Sequence, residues 1–146
     1  MASLTLPELA KKMQDIDYAM LITTTAAGAL AGRPMSNNGD VAYEGTSYFF
    51  CHESAHSVHE IEGNPNVALS FAGGRSLIGT RPLFIAVEGQ ANLIRDRGAF
   101  EAHWTKDLDQ WFEQGIETPA IVLIEVRATR LHYWHGKEEG EINLQT

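Results

Sequence analysis

The chain has 146 residues, 44% hydrophobic and 21% charged, with 13 Gly and 5 Pro, a balance that fits one globular core and excludes disordered and collagen-like classes. Its 19 acidic against 11 basic side chains give a net charge of −8. Arg33, Arg75, Arg81, Arg95, Arg97, Arg127 and Arg130 are dispersed, so neither nucleic acid nor an anionic membrane surface is expected as a partner. The single cysteine, Cys51, excludes an intramolecular disulfide and fits a reducing compartment.

The opening stretch MASLTLPELAKKM carries Glu8 and two lysines where a secretory leader needs an unbroken apolar run, and no segment is long enough to span a bilayer. The cytoplasm is the expected location. Thr5-Leu6-Pro7-Glu8 has the form of a capping box, with Pro7 in the first turn and Leu4 and Leu9 spaced as a hydrophobic staple. This predicts an N-terminal helical segment in residues 1–17, starting at about Leu6 and ending before Asp17.

The run YAMLITTT predicts a strand from Tyr18, followed by a turn near Gly28 and a second strand through Arg33 to Ser36. VAY, a turn at Glu44-Gly45 and TSYFFC predict another hairpin; its last strand, apolar on both faces, is expected inside the sheet. In SAHSVHEIEGN the spacing of Val58 and Ile61 predicts a helix with Ser54 or Ser57 as N-cap and Gly63 as its stop. Asn64 to Asn66 then turn into the strand VALSFA, and a loop with Gly73, Gly74 and Gly79 leads to the strand LFIAVEGQANLI.

Asp96 is expected to cap a helix through GAFEAHW. Beyond Gly115 and Pro119 come two strands, AIVLIEV and RLHYW, and a charged tail, 137–146, expected to be mobile. The order predicts a single domain over 1–146, mainly β with peripheral helices (α+β), built as a predominantly antiparallel barrel with helices on its rim.

Three sets of side chains bear on chemistry. Arg33 and the start of the SAHSVHEI helix, with Ser54, His56 and Ser57, have the makings of a phosphate seat; in the plainer reading a serine only caps the helix and Arg33 is solvated. His52, His56 and His59 would share one face of a helix that covered all three, which keeps a metal-binding barrel as an alternative. No carboxylate or cysteine completes a recognisable zinc motif, and no metal is assigned. Trp104, Trp111, Tyr133 and Trp134 are dense enough to fill a core or a subunit interface. There is no G-x-S-x-G elbow, no G-x-G-x-x-G after a strand and no P-loop, and Cys51 in mid-strand reads as an inert buried thiol.

Taken in order, TTTAAGALAGRPM, YFFCHESAHSVHEIEGNPNVALSF, VEGQANLIRDR, HWTKDLDQWFEQG and LHYWHG resemble the pyridoxamine 5'-phosphate oxidase-like FMN-binding split barrels, general stress protein 26 branch. The likeness runs from about Tyr18 to Gly136. It implies an antiparallel split β-barrel and a homodimer with two FMN molecules in clefts between the subunits. Carried over by position, Arg33 would hold the FMN phosphate, the backbone from Pro34 through Met35 to Asn38 would run along the flavin, and Phe50 and Cys51 would line it. His56 and Ser57 fall where the family carries basic residues at the phosphate, and Trp111 falls in its Trp-Phe-Pro-type motif, which implies a place in the flavin environment.

Two departures stand out. The family's phosphate lysine is Ser57 here and its strand threonine is Cys51, so a positive charge and a hydroxyl are missing from the seat. A charge-assisted hydrogen bond contributes about 1.5–3 kcal/mol, so its loss is expected to weaken FMN binding by one or two orders of magnitude unless His56 or another arginine compensates. The resemblance implies a stress-related FMN oxidoreductase acting on an undefined small molecule, with a non-catalytic flavin-binding or storage protein as the alternative. True pyridoxamine 5'-phosphate oxidase activity is not expected, because RLHYWHGKEEGEINLQT lacks the arginine-rich ending of those enzymes. His52 is the candidate acid or base, being titratable near neutrality and expected near the cleft.

Overall fold

Thr5 and Glu8 satisfy each other at the first helix: the Glu8 N–H donates to Thr5 Oγ1 at 3.3 Å and the Thr5 N–H to Glu8 Oε1 at 3.1 Å. Helix α1 (Leu6–Met13) therefore starts where the capping box predicts, and it buries Leu9, Ala10 and Met13. The computed structural model describes residues 4–37, 43–73 and 82–144. Asn38, most of the expected VAY strand and the loop with Gly74 and Gly79 lie outside the described residues.

After α1 come strands β1 (Tyr18–Thr24), β2 (Leu30–Ser36) and β3 (Thr46–His52), helix α2 (His56–Gly63), strands β4 (Asn66–Gly73) and β5 (Leu83–Ile94) and helix α3 (Arg97–His103). Two short 3-10 turns, Lys106–Gln110 and Gly115–Glu117, precede strands β6 (Ile121–His135) and β7 (Glu138–Asn143). The sheet is antiparallel throughout, in the order β2-β1-β4-β5-β6-β3, with β7 also on β6. This is a split β-barrel of the α+β class. The inner face is apolar at every second residue, as in β5, where Leu83, Ile85, Val87 and Ala91 are buried beside Leu21, Phe71, Leu131 and Tyr133.

Several expectations need correction. The two strands expected after Pro119 are the single 15-residue β6, whose first half pairs with β3 and whose second half pairs with β7. Its register with β5 shifts at Glu88/Gly89, where a side chain on Gly89 would run into the Arg127 carbonyl. Strand β3 ends the sheet instead of lying inside it. It is apolar on both faces because Phe49 packs into the main core while Phe50 joins a second cluster with Phe100, Phe112, Ile121 and Leu123. A helix and a loop cover the outer side, so the burial pattern mimics that of an inner strand.

The charged tail expected to be mobile from Lys137 instead forms β7. Its side chains alternate, Ile142 reaching the core while Glu139 and Glu141 meet His132 at 2.6 Å and Arg130 at 2.9 Å. Gly140 lies under the Tyr133 ring, where any side chain would collide. At α2 the N-cap is Ala55 with no side-chain hydrogen bond, so neither Ser54 nor Ser57 caps the helix; Ser57 is buried within it beside Val58 and Ile61. No described helix is long and apolar enough to cross a membrane.

Candidate functional site

Strands β2 and β3 are the two ends of the sheet path, and a cleft of about 250 Å³ is lined by both. Pro34, Met35 and Ser36 form one wall, Tyr48, Phe49 and Phe50 the other, and Leu108, Trp111 and Phe112 from the segment after α3 complete it. The aromatic wall is held from behind. Phe50 meets Trp104 edge-on at 4.8 Å and Phe100 at 5.9 Å, and the Trp104 indole N–H donates to Asp109 at 3.0 Å. Trp111 is 52% exposed and meets Tyr18 edge-on at 6.5 Å, so both rings stand at the mouth.

His103 also lines the cleft, stacked on Tyr48 with ring centres 3.7 Å apart. The sequence reading missed it. Its only signal was a histidine at the end of a capped helix, where His is favoured by the helix dipole whether or not it serves a site. His52, the expected acid or base, packs against Phe112 at 5.3 Å and does not line the cleft.

The polar end is organised separately. Arg33 donates from Nη2 to Glu60 Oε1 at 2.8 Å and from Nη1 to Thr23 Oγ1 at 2.9 Å, and the Thr23 hydroxyl donates onward to Glu60 at 2.7 Å. A weaker contact runs from Nη1 to the Leu21 carbonyl at 3.3 Å. Thr23 is buried, and its hydrogen bond, with the Arg33 charge behind it, holds the Glu60 carboxyl below the usual carboxylate range. From the sequence, Arg33 has phosphate or water as its partner, and the structure supplies a third, Glu60, from within the chain. The available signal was slight: in α2, Glu60 stands one turn beyond the inward Ser57, facing the sheet.

Glu60 lines an open groove of about 650 Å³ between α2 and the β1–β2 turn, together with Thr24, Thr25, Gly28, His56 and His59. His56 therefore stands with Glu60. Ser57 and Cys51 meet each other inside the fold; burial pushes the Cys51 thiol up to about 11, and the Ser57 hydrogen bond offsets this only in part.

The expected cofactor residues thus divide by location. Pro34, Met35, Phe50 and Trp111 share the apolar cleft, Arg33 and His56 gather around Glu60, and Cys51 and Ser57 pack together. His52 ends β3 and precedes α2, so the three histidines do not share a helical face. Among the described residues no group of three His, Cys, Asp or Glu side chains is placed to hold a metal ion.

A family model for proteins described as pyridoxamine 5'-phosphate oxidase like matches residues 5–145. Among solved structures, general stress protein 26 from Bacillus anthracis superposes with a TM-score of 0.71 at 22% identity, covering 91% of this chain and 93% of that one. A protein related to general stress protein 26 from Clostridium acetobutylicum gives 0.77 at 16% identity over 95% and 94%. A heme binding protein from Mycobacterium smegmatis gives 0.75 at 12% identity, over 98% of this chain and 60% of that one. At these identities the structures establish the shared fold. No curated protein matches the chain in sequence.

Proposed function

The chain belongs to the pyridoxamine 5'-phosphate oxidase like family, and on that premise we propose that it is a flavin-binding oxidoreductase that seats FMN between two copies of itself. The observation that carries the reading is the gathering of Pro34 and Met35, Phe50, and Trp111, from three separate stretches of the sequence, into one apolar cleft. Ligand sites are typically concave and mostly apolar with a few polar groups, and a wall of braced aromatic rings suits a planar ring system. Bound flavin supplies the capacity to accept and pass on an electron pair. The side chains of the cleft would bind and orient the ring and keep water from it, with His103 among the lining residues.

Two copies are proposed because the cleft opens onto an apolar surface. Tyr18 at its mouth lies on the outward face of β1 with Met20, and Leu30, Phe84 and Trp134 are also exposed on outward positions of the same sheet. Met20 is in register with Pro34, and Phe84 with Trp134, so these side chains sit side by side. Exposed apolar area of this kind marks an interaction surface, and a two-fold pair is the commonest way to cover it. A second copy seated there would close the mouth of the cleft.

The test is equilibrium titration of untagged protein with FMN, followed by sizing chromatography. Saturation at a single flavin per chain on a dimer is the expected result; absence of any flavin binding, or saturable binding to a monomer, overturns the reading or its dimeric part respectively. Reduction of the bound flavin by NADH or NADPH, followed by turnover with an acceptor, separates an oxidoreductase from a non-catalytic flavin carrier. The same visible spectra recorded with hemin test whether heme, the ligand named for the mycobacterial structure, competes for the cleft.

A further inference from the structure

We propose that Glu60 is a charge lock on Arg33 that removes most of the site's preference for a phosphorylated flavin. This rests on the reading of Arg33 as the residue facing the tail of a flavin whose ring lies in the apolar cleft. The guanidinium is already paired at 2.8 Å with Glu60, and Thr23 accepts from the one and donates to the other, closing a triangle of three hydrogen bonds. Both charged side chains are largely covered, with 23% and 14% of Arg33 and Glu60 exposed, so water screens the pair less than it would on an open surface.

A phosphate approaching this place meets a pair of net charge zero, and the carboxylate's repulsion offsets the guanidinium's attraction. Among the described residues, the groove that Glu60 lines has no lysine or arginine in its lining, and the helix position expected to carry a lysine is the buried Ser57. His56, on the first turn of α2, and His59, about one turn further on, are the groove's imidazoles among the described residues. Binding then draws mainly on the ring and the uncharged part of the tail, and FMN and riboflavin become near equals as ligands.

The experiment compares FMN with riboflavin by equilibrium titration of the native protein and of Glu60→Gln, which keeps a hydrogen-bonding side chain and removes the negative charge. The native protein is expected to bind the two within about tenfold of each other, and Glu60→Gln to raise the FMN-to-riboflavin affinity ratio by about tenfold or more. A native preference for FMN well above that, left unchanged or lowered in Glu60→Gln, overturns the lock while leaving the flavin site intact. Should neither flavin bind to either protein, the flavin reading itself fails and the lock falls with it. Native protein alone gives an independent readout that needs no variant: FMN affinity is expected to vary with salt no more than riboflavin affinity does, and a steep loss of FMN binding with salt overturns the proposal.

Discussion

The cleft between β2 and β3 and the groove beside α2 make opposite use of their side chains. In the cleft, Trp111 and Tyr18 leave half of their surface in water, and the rings behind them are braced by Trp104 and Phe100. Behind the groove, the charged groups have found one another: Arg33 and Glu60, with Thr23 between them, satisfy within the chain what a ligand would otherwise satisfy. The contrast separates two sources of binding free energy. Exposed apolar surface is stabilised only when something covers it, whereas a neutralised ion pair offers a ligand little and resists being opened.

The largest effect should come from the open side. Trp111→Ala removes one of the two half-exposed aromatic rings of the cleft, and losses at such aromatic positions reach about 2 kcal/mol, or roughly thirtyfold in affinity. FMN and riboflavin should weaken alike, with the fold intact because the ring is half exposed. Titration of both flavins checks this. An effect confined to FMN would place the phosphate, and not the ring, against Trp111.

A smaller effect is expected from the closed side. Thr23→Val keeps the shape of a buried side chain and deletes the hydroxyl that both accepts from Arg33 and donates to Glu60. Leaving polar groups short of partners in a covered place costs about 1–3 kcal/mol, readable as a lower urea midpoint. An unchanged midpoint would show that water replaces the hydroxyl and that the triangle is looser than its distances imply.

The same contrast explains what the sequence disclosed. The capping box at Thr5, the Asp96 cap and the strand LFIAVEGQANLI are local facts, set by residues within one turn or one strand, and the structure has all three. The position of β3 was not local, because an apolar residue cannot record whether a strand or a helix covers it. Strand β7 was hidden by its charge: Glu138, Glu139 and Glu141 read as solvated tail, although Gly140 and Ile142 hold the inward positions. Glu60 went unnoticed for a related reason. Its partner stands 27 residues away on another element, and nothing in the helix pattern says which charge lies opposite.

The finest test is the pH dependence of that pair. Glu60 has its folded-state proton affinity lowered, first by the Thr23 hydrogen bond and then by the Arg33 charge, with His56 adding in the same direction. A carboxyl whose folded pKa lies below its unfolded one stabilises the fold fully above the unfolded value of 4.5, and loses that contribution as pH falls through the lowered folded value. The native protein should therefore exceed Glu60→Gln in stability by a constant margin near neutrality, and the margin should shrink once the pH drops below about 4.5. Denaturant unfolding of the two proteins across that range, taken as a difference so that other carboxylates cancel, measures it. A margin unchanged down to the acid limit of folding would mean that Glu60 acts through shape and hydrogen bonding alone, and the groove would then differ from the cleft in polarity but not in charge.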